Sequence, residues 1–483
     1  MKKIILIAIV YCIYSNVNAQ GYELNIDKDY LVDAKGLLNI SMTGVARLQK
    51  VHYSLDDVQI VETSIAKLGV NPYKTSKFLV TIDKKKIATP SEFELNYLNK
   101  RLTFHQIGQE FYVTQAEKNN KVWTVALCKI EKSSLRIDQS SATTIFEGSK
   151  KDNRSPAWSG TSPNNSKYSC ILQGENSNFE VKMFNGNFLE TWSHSFNLEN
   201  IEPSAFVFVK DAIITDNGHA ILHIQVLGQR EFLVIVNSEG VQYQDEITVN
   251  NKEIYDIKIK LLNSGTVGLV GTYGLVIDEA SSDGLLNEGM ISLLYDLSEN
   301  KIVYKKVNKF SLDFLREIYP DNEHNAANDR ISFDISDVHQ TSDGNIYVIG
   351  QRVTSTNAKY FFHEIVVISM DSEGDLGWGK SFEFDRNDKF PATSFGSETM
   401  FSFMSKDDNL SIVYNRHRTY NSNSSFILDI MPSGEHRINQ ISSNESFVQS
   451  SFIWQSQDEV VFLLENYSNE STKYRVARIE IIK

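Results

Sequence analysis

The feature that most constrains the fold is a short phrase that recurs along the chain. It consists of an apolar strand, a polar turn that ends in glycine or a substitute, and a second, strongly apolar strand; the clearest copy is Val338–Gly350. The six turn positions that align are Ser166, Gly218, Gly265, Gly344, Asn409 and Glu459. Most of them are about 50 residues apart, a period typical of repeat architectures.

A second hairpin phrase follows the first one in several copies. Its turns are Asn185–Asn187, Asn237–Gly240, Asp371–Gly374 and Pro432–Gly434. Asn, Asp, Ser and Gly favour the left-handed or side-chain-bonded conformations that tight turns need. One unit is therefore four strands, and helical periodicity is confined to Leu312–Ile318. The sequence predicts an all-β chain, a single β-propeller of four-stranded blades, with seven blades favoured and eight or six as alternatives.

The two ends of the repeat region bear on how the last unit is completed. The segment Phe447–Lys483 holds three predicted strands instead of four. An N-terminal strand is therefore expected to complete this unit, and residues 22–95 supply such strands and leave room for a further blade. Polar insertions at 275–290 and 310–330 are expected to be long loops, which closure entropy tolerates well.

The first residues of the chain have the pattern of a signal peptide. Lys2 and Lys3 precede about eleven apolar residues, fewer than the roughly 20 that span a bilayer, and the small-residue pattern at Ala19 suits signal peptidase. We expect cleavage after Ala19, which makes 1–19 the signal peptide and 20–483 the propeller domain, in the periplasm or outside the cell. Lipidation at Cys12 is not favoured, because Tyr11 stands where a small residue is required. No later segment is apolar enough to predict a transmembrane helix.

The net charge limits which partners are expected, and the number of cysteines limits which disulfides can form. The formal net charge is −13, which disfavours nucleic acid as a partner. Beyond the signal peptide the cysteines are Cys128 and Cys170. Export permits a disulfide between them, and such a bond could form if the two residues lie on adjoining blades. The favoured interpretation is two buried free thiols.

Two groups of residues resemble metal ligands, and each has a simpler interpretation. His219 and His223 are four residues apart, but on a strand this spacing separates them too far for one ion, so a polar strand face is expected. The acidic stretch Asp371–Asp375 suits calcium in composition, yet a hairpin turn is favoured because the distant bidentate Glu of a calcium-binding loop is missing. We therefore predict no metal site and no cofactor.

Two other groups are candidates for catalysis or anion binding. Asp334 and Asp337, with Glu364 on a following strand, are carboxylates of the kind that glycoside hydrolysis uses in pairs. The basic stretch Asn415–Arg418 is expected to be a solvated loop paired with neighbouring acids, with anion binding as the alternative. Motifs for nucleotide, haem or serine-hydrolase sites do not occur, and the catalytic residues remain unknown.

Several of the repeat phrases carry a resemblance to a group of proteins. The phrases are Asp343–Tyr347, Gly374–Trp378, Gly268–Tyr273 and Arg101–Ile130. In these segments the chain resembles uncharacterised exported β-propeller-like repeat proteins of Gram-negative bacteria. The resemblance implies the fold and export, and it carries no activity or catalytic residue.

These observations favour an exported, non-catalytic binding or scaffold protein of the cell envelope. A rigid scaffold with variable loops suits binding, and the insertions at 275–290 and 310–330 are the first loops to consider. The expected partner is an unidentified envelope protein or glycan, and the chain is expected to be a monomer. The alternative is an envelope glycan hydrolase or lyase that uses acidic side chains.

Overall fold

The computed structural model describes residues 22–26 and most of 46–481. The gaps after residue 46 are 56–57, 66–76, 84–85, 88–90, 94–99, 133, 150–153, 176, 203–204, 228–229, 251, 263–264, 275–286, 319–333, 357–358, 383–399, 406, 420–421, 444, 448–452, 455–457 and 468–471. The cysteine and signal-peptide positions before residue 22 lie outside the described residues. The chain divides into two compact units: the larger unit comprises Glu94–Glu383 and Pro391–Thr393, and the smaller unit comprises Met1–Phe93, Phe384–Phe390 and Ser394–Lys483.

The described secondary structure is almost entirely β. The elements in chain order are β1 (Tyr22–Ile26), β2 (Ala46–Leu55), β3 (Val58–Ile65), β4 (Lys77–Asp83), β5 (Lys86–Ile87), β6 (Ser91–Phe93), β7 (Lys100–Ile107), β8 (Glu110–Asn119), β9 (Val122–Ile130), β10 (Ile137–Glu147), β11 (Ser155–Thr161), β12 (Lys167–Gln173), β13 (Asn178–Asn185), β14 (Glu190–Asn197), β15 (Val207–Ile214), β16 (Ala220–Val226), β17 (Arg230–Asn237), β18 (Gly240–Ile247), β19 (Glu253–Leu261), β20 (Thr266–Gly274), β21 (Asn287–Asp296), β22 (Lys301–Lys309), α1 (Leu312–Ile318), β23 (Asp334–Gln340), β24 (Ile346–Thr356), β25 (Lys359–Met370), β26 (Leu376–Phe382), β27 (Met400–Met404), β28 (Leu410–Thr419), β29 (Ser422–Ile430), β30 (His436–Ser443), β31 (Ser446–Phe447), β32 (Ile453–Trp454), β33 (Glu459–Tyr467) and β34 (Thr472–Ile481).

The larger unit is a succession of antiparallel meanders. Its sheets are β7–β10, β11–β14, β15–β18, β19–β22 and β23–β26, and in each one consecutive strands pair. The predicted recurring turns join the first and second strands, as at Gly218 and Gly344, where φ is 83° and 91°. This left-handed region is open to glycine without steric cost, which explains why the phrase ends in that residue. The prediction of repeated hairpins is confirmed.

The smaller unit contains the strand that completes the last sheet. Strand β1 pairs antiparallel with β34, from Tyr22 opposite Ile481 to Ile26 opposite Ala477. Tyr22 is 1% exposed, and its hydroxyl donates a 3.3 Å hydrogen bond to Asp429 on β29. The sheet of β31–β34 is therefore completed by an N-terminal strand, as the three-strand count of the last segment predicted.

The sheets agree with the predicted fold class. Six four-stranded sheets run from β7 to β30, and the sheet that β1 completes is the seventh. Strands β2–β6 form one further sheet in the smaller unit. The chain is thus all-β, with four-stranded antiparallel blades of the β-propeller type, as predicted.

Apolar side chains between consecutive sheets form the core of the larger unit. Ile221, Leu233 and Ile235 of the sheet β15–β18 pack with Ile257 and Leu269 of the next sheet. Because both faces of such a sheet are covered, its central strands are apolar without alternation, as the burial of β16 and β17 shows.

The short helix predicted in the second insertion is present as α1. Its residues Phe314 and Ile318 pack against β26, where Gly379 allows the close approach: a Cβ at Gly379 would lie 2.6 Å from Ile318 and 2.9 Å from Phe314. The predicted loops 275–290 and 310–330 otherwise lie largely outside the described residues. Within the described part of the chain, α1 spans seven residues and no helix is suited to cross a membrane.

Candidate functional site

A repeated irregularity marks the first strands of three consecutive sheets in the larger unit. Strands β15, β19 and β23 contact one another in sequence order. Each has a β-bulge that inserts one residue without a ladder partner: Lys210, Tyr255 and Ser336. A bulge places two residues opposite one and re-aims the side chains beside it. Bulges of this kind often lie next to functional sites.

The bulged strands bring together charged side chains from three sheets. We call them the first-strand cluster: Lys210, Asp211, Asp256, Lys258, Lys260, Asp334, Asp337 and His339. On β19, Asp256, Lys258 and Lys260 alternate with the buried Ile257 and Ile259. Because successive strand residues point to opposite faces, the three charged side chains share one face.

One part of the cluster is internally paired. Lys260 Nζ lies 2.6 Å from Asp337 Oδ1, and His339 Nε2 lies 3.1 Å from Asp337 Oδ2. Burial alone would raise the pKa of Asp337, but the Lys260 and His339 charges outweigh it and hold that pKa well below its usual range. Asp337 is therefore an ionised structural partner at neutral pH.

The other part of the cluster is not paired in this way. The side chains of Lys210, Lys258 and Asp334 form no hydrogen bond or ion pair with the residues that the structure describes. Some other lysines of the larger unit pair with carboxylates, as in the 2.7 Å pairs of Lys252 with Glu288 and of Lys305 with Asp245. Polar side chains that converge in one place, and whose hydrogen bonds are not used within the protein, are a feature of ligand-binding sites.

Two aspartates beside these groups are each held by a single backbone donor. Asp211 Oδ1 accepts a 2.8 Å hydrogen bond from the Ala212 amide. Asp256 Oδ2 accepts a 2.6 Å hydrogen bond from the amide of Ile335, which belongs to the next sheet. One oxygen of each carboxylate is thereby oriented, and the other remains available as an acceptor.

The carboxyl groups that lack a side-chain partner have raised pKa values. The side chain of Asp334 is exposed to water, yet the surrounding strands displace enough solvent, with a contribution from the Asp256 charge, to raise its pKa to about 6. Burial also raises the pKa of Asp256 and of Asp211, against the opposing effect of Lys258. Partial desolvation and like charge are the physical causes, and both are common where ligands bind.

Two fully buried polar residues lie directly behind the cluster. In the register of the second strands, His223 is opposite Asp211 and Thr272 is opposite Asp256. His223 Nε2 lies 2.8 Å from Glu231 Oε2. His223 Nδ1 and Thr272 Oγ1 are buried, and neither has a hydrogen-bond partner among the described residues.

The predicted polar face of His219 and His223 is wrong. His219 precedes β16 in the turn, whereas His223 is fully buried between strands and bonded to Glu231. The sheet is covered on both sides, so its strand interior has no solvent-facing side. Among the described residues, no group of His, Cys, Asp and Glu is arranged to hold a metal ion.

The predicted hairpin at Asp371–Asp375 is confirmed. Asp371 Oδ1 accepts hydrogen bonds from the amides of Glu373 at 3.0 Å and Asp375 at 2.9 Å, and Gly374 has a φ of 85°. The carboxylate of Asp371 is therefore used to form the turn.

The three predicted carboxylates are not brought together as a set. Asp334 and Asp337 belong to the first-strand cluster, but Glu364 is buried on β25 with Arg352 Nη1 at 3.6 Å from its carboxylate. The neighbour of Asp334 in the cluster is instead Asp256 of the preceding sheet. Sequence reasoning missed Asp256, because its position follows from the bulge in β19.

The predicted loop at Asn415–Arg418 is wrong. These residues lie within β28, which pairs with β29 from Leu410 to Thr419. The basic residues form the end of a long strand in the hairpin of β28 and β29, so they are part of a sheet and not of a loop.

The favoured interpretation of the cysteines is confirmed. Cys128 on β9 and Cys170 on β12 are buried thiols that are not joined by a disulfide, in sheets that follow each other along the chain. Burial raises the pKa of Cys170 to about 12, so its thiol stays protonated and is unreactive.

Replacing Asp334 with asparagine is expected to raise the melting temperature at pH 7.5. A carboxyl with a pKa near 6 in the folded chain and an ordinary value of 3.8 binds its proton more tightly when folded. Its contribution to stability is therefore greatest below pH about 4 and is lost as the pH rises to about 6. Thermal unfolding of both proteins from pH 3.5 to 8 measures the difference, which should vanish at the acidic end.

The matched control is Asp343→Asn in the turn of the same sheet. A hydrogen bond from the Thr341 hydroxyl lowers the pKa of Asp343, so this substitution is expected to lower the melting temperature at pH 7.5. If Asp334→Asn destabilised the protein at pH 7.5 as well, the raised pKa of Asp334 would be refuted.

Comparison with protein-family profiles and with curated protein sequences gives no match. Solved structures give distant similarities. A protein from Lactobacillus plantarum is 10% identical, with 83% of this chain and 96% of that chain covered and a TM-score of 0.36. A polysaccharide lyase is 11% identical, with 82% and 92% covered and a TM-score of 0.39. A dihydro-heme d1 dehydrogenase is 10% identical, with 84% and 71% covered and a TM-score of 0.38. Similarities at this level assign no ligand and no reaction.

Proposed function

We propose that this chain is a non-catalytic binding protein of the cell envelope whose ligand site is the first-strand cluster. The observation that carries the proposal is that the side chains of Lys210, Lys258 and Asp334 come from three sheets and form no hydrogen bond or ion pair with the described residues. Lys210 and Asp334 are exposed to water, so a polar ligand can reach both groups and bind them directly. The strands around the cluster hold these side chains on a rigid scaffold, which favours a defined geometry for binding.

The cellular context belongs to the same proposal. Residues 1–19 are removed after Ala19, residues 20–483 form the propeller domain, and the monomeric protein acts in the periplasm or outside the cell on an envelope protein or glycan. The signal-peptide pattern and the resemblance to exported repeat proteins support this. Amino-terminal sequencing of the protein recovered from the host should begin at Gln20; a chain that begins at Met1 would contradict it.

Comparative ligand capture tests the site. The purified protein and the double variant Asp256→Asn/Asp334→Asn are each equilibrated with a low-mass envelope extract, and retained compounds are identified by mass spectrometry. We expect at least one compound to be retained by the wild-type protein and lost from the variant. A matched double variant in outer turns, Asp296→Asn/Asp371→Asn, should retain it. Identical profiles for wild type and the cluster variant would contradict the proposal.

One observation favours a second function, an envelope glycan hydrolase or lyase. The Asp334 carboxyl, with its pKa raised to about 6 beside Asp256, has the property that a general acid needs near neutral pH. In that case, purified protein would turn over a glycan with a rate that falls above pH about 6 and is lost in Asp334→Asn. Binding without turnover across a panel of glycans would favour the non-catalytic function.

A further inference from the structure

We infer that the first-strand cluster takes a hydroxylated carboxylate, that is, an acidic saccharide. This inference rests on the proposed binding function and adds the chemical class of the ligand. It follows from which donors and acceptors of the cluster remain available, and from the buried groups behind them.

Two ammonium groups are the available donors. Lys210 and Lys258 both lie within electrostatic range of Asp256, and Lys258 is also within range of Asp211. Neither makes a direct ion pair with a described residue, in contrast to Lys260, whose ammonium contacts Asp337 at 2.6 Å. Two lysines on neighbouring strands suit an anionic group, because charge-assisted hydrogen bonds to ammonium groups are stronger than neutral ones.

Carboxylates are the available acceptors. Asp211 and Asp256 each have one oxygen held by a backbone amide, which leaves the second oxygen of each without a hydrogen bond among the described residues. The Asp334 carboxyl, with no hydrogen bond there, donates a proton or accepts one depending on pH. Because several hydrogen-bond acceptors lie beside the lysines, a ligand that fits this site also needs hydroxyl groups as donors.

The combination excludes simpler ligands. A phosphate dianion would be repelled by the carboxylates of Asp211, Asp256 and Asp334. A ligand carboxylate carries only half the charge of the phosphate, so the repulsion is weaker. A cation would be repelled by the ammonium groups of Lys210 and Lys258. A neutral sugar would offer the two ammonium groups only hydroxyl acceptors, which form weaker hydrogen bonds with them than a carboxylate does. A saccharide with a carboxylate satisfies the donors and the acceptors together.

Two buried groups behind the cluster have unused hydrogen-bonding capacity, which supports the inference. Thr272 and His223 are both 0% exposed, and Thr272 Oγ1 and His223 Nδ1 have no hydrogen-bond partner in the described part of the chain. Each side chain lies on the same sheet face as the cluster aspartate opposite it, Asp256 or Asp211. Buried polar groups rarely stay unpaired, and a ligand hydroxyl drawn in beside these aspartates brings them a partner.

Titration calorimetry with defined probes tests the inference. The full mature chain is titrated with D-glucuronate, D-glucose, acetate and inorganic phosphate at pH 7.5. We expect glucuronate to bind, and glucose, acetate and phosphate to bind about tenfold more weakly or worse, because a charge-assisted hydrogen bond is worth about that factor. Lys258→Gln and Lys210→Gln should each weaken glucuronate binding by about tenfold.

Lys305→Gln is the matched control, because Lys305 pairs with Asp245 away from the cluster. It should bind glucuronate with wild-type affinity. If glucose or phosphate binds as tightly as glucuronate, or if Lys258→Gln and Lys210→Gln both bind like the wild type, the inference is overturned. In that case the proposed function still stands if the cluster variant Asp256→Asn/Asp334→Asn loses the compound captured from the extract. If the variant and the wild-type protein capture the same compounds, the proposed function is refuted together with the inference.

Discussion

Deletion of residues 22–26 is expected to unfold the sheet of β31–β34 and to expose residues 446–481 to protease. Strand β1 supplies the partner of β34 over five residue pairs and buries Tyr22. Without it, β34 becomes an edge strand with unpaired backbone groups and loses an apolar neighbour of Ala477 and Ile479. Limited proteolysis followed by mass spectrometry locates the cleavages, which should be absent from the wild-type protein under the same conditions.

Two point variants separate the contributions of Tyr22. Tyr22→Ala removes a ring that packs edge-on against Phe403 at 5.4 Å and is expected to cost about 3 to 5 kcal/mol of unfolding free energy. Tyr22→Phe keeps the ring and loses only the hydrogen bond to Asp429, so it should cost about 1 kcal/mol. Urea unfolding measures both. Equal stability of all three proteins would show that β1 does not hold the sheet together.

Glu231→Leu is expected to destabilise the larger unit by about 3 kcal/mol or more. Glu231 is 2% exposed and binds two side chains, His223 Nε2 at 2.8 Å and Gln225 Nε2 at 2.5 Å. Its removal leaves the buried His223 and the partly buried Gln225 without this acceptor, and the penalty of an unpaired buried polar group exceeds the worth of the hydrogen bond itself.

A double-mutant cycle distinguishes this penalty from a general packing defect. His223→Leu/Glu231→Leu removes both buried polar partners, so the double variant should be more stable than Glu231→Leu alone. Glu246→Ala serves as the control, because its 2.6 Å pair with Arg230 is partly exposed and should be worth no more than about 1 kcal/mol. Additive losses in the cycle would mean that His223 and Glu231 are not energetically coupled.

The repeated turns could be predicted because their cause is local. Gly218, Gly344 and Gly374 occupy left-handed backbone positions that few other residues adopt, so their spacing along the chain marks the hairpins directly. The role of β1 followed from counting strands in the last unit. Both predictions required only the sequence and the number of strands in a blade.

The first-strand cluster could not be predicted in the same way. Asp334 is a candidate from the sequence, but its neighbour Asp256 lies on another sheet, and the bulge at Tyr255 sets which face of that sheet the Asp256 side chain occupies. A bulge is an extra residue in the ladder and leaves no distinct pattern in the sequence. His223 was misplaced for a related reason: its partner Glu231 is on the next strand, and only the hairpin register shows that they meet.

The bulges have a consequence for the direction of the side chains. Strand β11 carries the same irregularity, so in the pairing of first and second strands four consecutive sheets each have one first-strand residue outside the ladder: Ala157, Lys210, Tyr255 and Ser336. Val209 and Asp211 are two residues apart, yet their partners Ile224 and His223 are adjacent on β16 and therefore face opposite ways. One inserted residue thus reverses the alternation along the strand, and in β15, β19 and β23 it decides which side chains after the bulge lie on the face of the cluster.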